Sequence, residues 1–149
     1  MIKIRHTGIV TKNLKHSLDF WVKALGFKVK KTLNESGELI DKIIGYRNVR
    51  VKTLKLIDSY GHLIEILYFF NSPKSKKISI KPYTNGYTHI SLTVKNIQAI
   101  YNILRKKKII FNSYPKKSAD GKVLMTYCKT PEGAFLELVR SEEHTSELQ

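Results

Sequence analysis

Apolar and polar residues alternate, or apolar residues run on, through short stretches that predict strands. In the first half these are Ile2 to Val10, Phe27 to Leu33, Val49 to Ile57 and His62 to Phe70. In the second half they are Tyr87 to Val94, Ile109 to Tyr114, Lys122 to Lys129 and Ala134 to Arg140. Between the first and second strand of each set, the spacing of apolar residues changes to three and four. Leu14, Leu18, Trp21, Val22 and Leu25 fall on one helical face behind Asn13, whose side chain suits an N-cap, and Gly26 takes the position just past the helix end. Ile97, Ile100, Tyr101 and Leu104 do the same behind Asn96. Turn residues at Asp58-Ser59-Tyr60-Gly61, Asp120-Gly121 and Thr130-Pro131-Glu132-Gly133 separate the strands.

Each half therefore reads as strand, helix and three strands. The prediction is an α+β fold of two tandem βαβββ modules, residues 1–70 and 87–140, forming a single domain over 1–140. Residues 71–86, with Pro73, Pro82 and Gly86, read as the linker.

The two halves share wording as well as pattern. His6-Thr7-Gly8-Ile9-Val10-Thr11-Lys12-Asn13-Leu14 is answered by His89-Ile90-Ser91-Leu92-Thr93-Val94-Lys95-Asn96-Ile97. Gly61-His62-Leu63-Ile64-Glu65 is answered by Gly133-Ala134-Phe135-Leu136-Glu137. The His-to-Glu distance is 59 residues in the first half and 48 in the second. The extra residues belong to Asn34 to Arg47, where Leu39-Ile40-Asp41-Lys42-Ile43-Ile44 forms a short amphipathic piece ended by Gly45. An insertion at a loop is what a duplicated module tolerates best.

The repeat singles out four side chains. Glu65 and Glu137 sit among aliphatic residues, where a buried carboxylate without a partner costs several kcal/mol or shifts its pKa upward. A divalent cation removes that cost. Strand alternation puts His89 with Ser91 and Thr93, and sets Ile90, Leu92 and Val94 on the other face to pack under a helix. A lone histidine in a strand is more often a hydrogen-bonded core residue than a ligand. Recurrence of both residue types at matching places makes coincidence a weaker account. Two imidazoles and two carboxylates form a borderline nitrogen and oxygen set suited to Zn, Ni, Co, Mn or Fe(II). His16 and His62 have no counterpart in the repeat and read as surface or supporting residues.

Composition changes the picture in two places. Lysine and arginine number 27 against 12 acids, a net charge of +15, and three of the acids lie in the last nine residues. Such a surface attracts anions. The lysines are scattered, however, and the dense run Arg105-Lys106-Lys107-Lys108 falls at a helix end, where cations suit the helix dipole. Nucleic acid is therefore an unfavoured partner. The segment 141–149 is acidic, polar and aperiodic, resembles translated adapter sequence, and is set aside together with His144 as a non-native or disordered tail. No apolar run reaches the roughly 18–20 residues of a membrane span, and no signal sequence is evident, so a cytoplasmic protein is expected. The single cysteine, Cys128, lies in a predicted strand and is expected to be buried and inert.

With strand-helix-three strands twice over, and His…Glu…His…Glu in register, the chain resembles the vicinal oxygen chelate superfamily, which includes glyoxalase I, methylmalonyl-CoA epimerase, extradiol dioxygenases and the bleomycin resistance proteins. The most specific pieces are His6 to Asn13, Leu25-Gly26-Phe27, His89 to Asn96, and Pro131-Glu132-Gly133 leading to Glu137. The resemblance implies a curved mixed sheet shaped as a cup, with one divalent metal held by His6, Glu65, His89 and Glu137. It often also implies a second chain that completes the cup in a homodimer. It further implies a lactoylglutathione lyase-like lyase or isomerase, in which a proton leaves the carbon next to a carbonyl and an enediolate is stabilised on the metal. Glu137 is then the first candidate base and Glu65 the second. A glutathione or coenzyme A conjugate is a possible substrate, with Arg47 and Arg50 as candidate anchors for its anionic part. Three alternatives remain open on the same fold: an epimerase-like isomerase, an Fe(II) extradiol dioxygenase, and a non-catalytic ligand-binding protein of drug-resistance type.

Overall fold

The computed structural model describes residues 1–73 and 79–141. The chain divides into two compact units, 1–77 and 78–149, a division that falls inside the stretch read as the linker. The first unit contains β1 (Thr7–Val10), α1 (Leu14–Leu18) continued by a π-helical turn (Asp19–Ala24), β2 (Lys28–Ser36), α2 (Glu38–Ile44), β3 (Arg50–Ile57) and β4 (Leu63–Phe69). The second contains β5 (His89–Thr93), α3 (Ile97–Lys106), β6 (Lys116–Lys117), β7 (Val123–Lys129) and β8 (Phe135–Ser141).

Each unit builds its own four-stranded mixed sheet, and the sequence repeat is a repeat of topology. The strand orders are β1-β4-β3-β2 and β5-β8-β7-β6. In each, the first strand runs parallel to the last and every other pair is antiparallel. A parallel first strand needs a crossover, and the helix after it supplies one.

Both helix starts are fixed by the asparagines expected from the sequence. The backbone N–H of His16 donates to the Asn13 side chain at 3.1 Å, and that of Ala99 to the Asn96 side chain at 3.0 Å. In the first unit, Leu25 N–H donates to the Phe20 carbonyl at 3.1 Å, five residues back. This wider turn admits one extra residue, and the adjacent Phe20 and Trp21 are both buried. Trp21 meets Phe20 and Phe27 edge-on at centroid distances of 5.1 and 5.6 Å. Gly26 follows with φ of +84°, a left-handed conformation that ends the helix. Buried with these rings are Leu54, Leu56, Ile64 and Ile66, which share one face of the first sheet. Leu136, Leu138 and Cys128 hold the same place in the second unit, with Ile97 and Leu104 of α3.

The inserted piece is α2, ended by Gly45 in a left-handed conformation. It lies on the other face of the first sheet. Ile40 forms a small core with Val49 and Val51, and Tyr46, Leu67 and Phe69 pack against it. Asp41 accepts the backbone N–H groups of Asn48 and Val49 at 2.9 and 2.8 Å, which closes the loop beneath the helix.

Three expectations from the sequence are corrected. The strand read from Ile2 begins only at Thr7, because pairing starts at Thr7 opposite Ile64 and β4 itself starts at Leu63. Nothing in β4 lies opposite the residues before His6, and Met1, Ile2 and Ile4 are exposed. The stretch Ile109 to Tyr114 forms one bridge, Phe111 to Cys128, rather than a strand. Its aromatic rings pack instead on Tyr101 of α3, Phe111 at 4.6 Å and Tyr114 at 5.2 Å, and the ladder resumes only at Lys116. At the far end Ser141 closes β8 instead of opening a tail. The remainder of the tail, including His144, lies outside the described residues. No helix among the described residues is long and apolar enough to cross a membrane.

Candidate functional site

Strand pairing places each glutamate in the middle of its sheet, flanked by one residue on each side. Glu65 lies between Gly8 of β1 and Lys55 of β3; Glu137 lies between Ser91 of β5 and Tyr127 of β7. Directly paired residues project from the same face. The two glutamates therefore occupy equivalent positions, on the face opposite the buried helix-side residues of each sheet.

In the first unit the expected histidine and glutamate meet. His6 Nε2 stands 3.2 Å from Glu65 Oε2, and the side chains are 33% and 13% exposed. The other carboxylate oxygen faces the ammonium group of Lys55 at 3.7 Å. Glu65 is thus half-enclosed between an imidazole and a cation. Gly8, paired beside Glu65, contributes no side chain to this face.

In the second unit the same pair is connected through a third residue. The Tyr127 hydroxyl lies 3.3 Å from His89 Nε2, with the rings 5.1 Å apart. It also hydrogen-bonds Glu137. Burial, then the charge of Glu137 and that hydrogen bond, hold the Tyr127 pKa above its ordinary value. A phenol has one proton to give. If it goes to Glu137, the Tyr127 oxygen accepts from His89 Nε2–H, and His89 Nδ1 accepts from the Thr88 hydroxyl at 3.1 Å. Ser91 completes the set by donating to Glu137 Oε1 at 2.6 Å.

The donors can be tested against a divalent ion on this geometry. With bonds of about 2.0–2.2 Å, neighbouring ligand atoms on one ion stand about 3 Å apart. The spacing of His6 Nε2 and Glu65 Oε2 matches that value. Each unit offers one imidazole and one carboxylate on the same sheet face, so the donor set fits. Among the described residues no three His, Cys, Asp or Glu side chains gather around one point.

The remaining sequence candidates lie elsewhere. Arg50 sits on the opposite face of β3 from Lys55, with its guanidinium 4.8 Å over the Phe70 ring. Arg47 is exposed in the turn after α2. His16 is exposed, and His62 pairs with Asp58 in the β3–β4 turn at 3.1 Å. Lys55, Ser91 and Tyr127 were not singled out from the sequence. A signal for two of them was there: Lys55 and Tyr127 each stand ten residues before their glutamate, across a short hairpin turn.

Comparisons with known proteins agree with this architecture. The model of the Glyoxalase/Bleomycin resistance protein/Dioxygenase superfamily matches residues 3–138. A lactoylglutathione lyase of Schizosaccharomyces pombe is 28% identical over 95% of the chain, and the chain spans 48% of that protein's length. A mitochondrial methylmalonyl-CoA epimerase of Dictyostelium discoideum is 27% identical over 91% of the chain and 76% of its own. Among solved structures, a glyoxalase family protein from Bacillus cereus superposes with a TM-score of 0.86 at 18% identity, covering 95% of both chains, a likeness of fold.

Proposed function

Because the chain belongs to the glyoxalase/bleomycin resistance protein/dioxygenase superfamily, we propose that it is a metal-dependent lyase or isomerase that moves a proton on the carbon next to a carbonyl. The observation that carries this reading is the His6–Glu65 pair at ligand spacing, answered in the second unit by His89 and Glu137 on the equivalent strands. His6, Glu65, His89 and Glu137 would hold the metal. A bound Zn, Ni, Co, Mn or Fe ion would supply Lewis-acid stabilisation of negative charge on a substrate oxygen.

The chain's own residues divide the rest of the work. Glu65 is already compensated by the Lys55 ammonium, whereas Glu137 meets two neutral hydroxyls, those of Ser91 and Tyr127. Glu137 is the first candidate base and Glu65 the second. Ser91 and Tyr127 hold the Glu137 carboxylate in place. Lactoylglutathione and methylmalonyl-CoA, named in two relatives, are both thioesters of large anionic carriers. A thioester of that kind is the substrate class we assign, and the epimerase is the second reading within the same chemistry. The same reading makes the protein a cytoplasmic homodimer.

The test combines metal content with proton exchange. Purified protein should carry about one divalent ion per chain by mass spectrometry, and a His89→Ala/Glu137→Ala variant should not. Metal-loaded protein in D2O should exchange the α-hydrogen of S-lactoylglutathione or methylmalonyl-CoA, followed by NMR. Glu137→Gln should slow that exchange by about 100-fold or more. Metal-independent exchange, or full activity in Glu137→Gln, would overturn the assignment.

A further inference from the structure

The strand row that carries Glu65 continues outward through two lysines. Across the first sheet it reads Gly8, Glu65, Lys55 and Lys31, each directly paired with the next. Lys31 and Lys55 therefore project side by side from the face that carries Glu65. Like charges directly opposite one another destabilise a sheet. Lys55 is drawn towards Glu65, at 3.7 Å and with only 26% of its side chain exposed. Glu65 also faces His6 and compensates one lysine of the two. No carboxylate among the described residues forms an ion pair with Lys31. On the same face of β2, Lys28 adds a third cation at the strand's start, and Glu35 lies two pairings beyond Lys31, opposite Val51 beside α2.

The row also has a chemical border. The next row on the same face is Val10, Leu67, Thr53 and Leu33. Beyond it stands the small core built by α2, with Ile40, Val51 and Phe69. The described residues of the second unit differ: Tyr127 occupies the place of Lys55, and the β6 ladder reaches back only to Lys116, opposite Met125, so no β6 residue pairs with Tyr127 as Lys31 pairs with Lys55.

We propose that Lys31 and Lys55 form an anion-binding subsite for a carboxylate or phosphate group of the substrate, next to Glu65 and against the apolar border of Leu33 and Leu67. An anion there relieves the repulsion between the two ammonium groups, and the apolar border takes the carbon skeleton attached to it. The subsite deepens the function proposed above, and it is defined by lysines that are not metal ligands.

The experiment is isothermal titration of the full chain with malonate and, separately, with inorganic phosphate, at low ionic strength with EDTA present. Lys31→Met and Lys55→Met are compared with Lys52→Met, which removes a lysine from the opposite face of β3. Circular dichroism confirms that each variant is folded. Binding by the wild-type chain that weakens tenfold or more in Lys31→Met and Lys55→Met, and less than twofold in Lys52→Met, supports the subsite. The probe that binds more tightly identifies the group as carboxylate or phosphate. No binding of either probe, or equal binding by all three variants, overturns it. Metal content measured on portions of the same preparations, taken before EDTA is added, separates the two readings. Lysine-dependent anion binding without metal uptake sinks the metal assignment alone, and metal uptake with no lysine effect sinks the subsite alone.

Discussion

Cys128 is fully buried, and burial alone pushes its thiol up to about 12. The thiolate is the reactive form, so the native chain should resist a disulfide reagent such as DTNB at pH 8 and react stoichiometrically once unfolded in guanidinium. Rapid labelling in native buffer would show that the strand around Cys128 opens readily. At this scale the sequence was informative where residues recur. His6, Glu65, His89 and Glu137 stood out because two half-chains repeat them, and the burial of Cys128 followed from its strand. The neighbours that decide their electrostatics did not stand out. Lys55 and Tyr127 occupy the same position in the repeat but differ in type, so a search for identical residues passes over both. Their significance lies in cross-strand pairing, which is a property of register and not of local composition.

The helices show what capping can predict. Asn96 opens α3 by accepting the Ala99 N–H, and no acidic residue in the first turn assists it. Asn96→Ala should therefore cost about 1 kcal/mol, read as a lower urea midpoint with an unchanged slope. A change below a few tenths of a kcal/mol would mean that packing alone holds the start of the helix. Both caps and the two helices behind them were legible because they depend on neighbours within one turn, and α2 was legible only as a short amphipathic piece ended by Gly45. The errors fell where distant partners decide. The strand expected from Ile2 lacks a partner before Thr7. The one expected over Ile109 to Tyr114 gives its aromatic rings to Tyr101, and with them its chance of a regular ladder. The π-helical turn also escaped notice, since a stripe at ordinary helical spacing fits the same residues until one extra is admitted.

Across the whole molecule the charge works against compactness. A net charge of +15 on 149 residues repels itself, and salt screens that repulsion over about 10 Å at 0.1 M. The melting temperature should rise between low and moderate sodium chloride, as followed by calorimetry, and Lys31→Met should reduce the dependence slightly. A melting temperature that falls with salt would mean that attractive pairs such as Lys55–Glu65 outweigh the background. The architecture of two modules was legible because the same strand-helix-strands pattern is written twice. The unequal spacing also located the insertion that forms α2. What the repeat did not contain is the difference in side chains between the modules: the lysine row of the first unit and the tyrosine that stands in the place of Lys55 in the second.

One consequence follows from where α2 is inserted. It lies between β2 and β3, outside the hairpin that sets Glu65 opposite Lys55. A single residue gained or lost in the Asp58–Gly61 turn would carry every side chain of β4 to the other face of the sheet. Eleven more residues between β2 and β3 leave that alignment intact. The fold therefore has one segment free to drift in length and another held to an exact count. Descendants of such a chain can reshape the rim of the site repeatedly, acquiring new substrates, while the carboxylate at its centre never has to be found again.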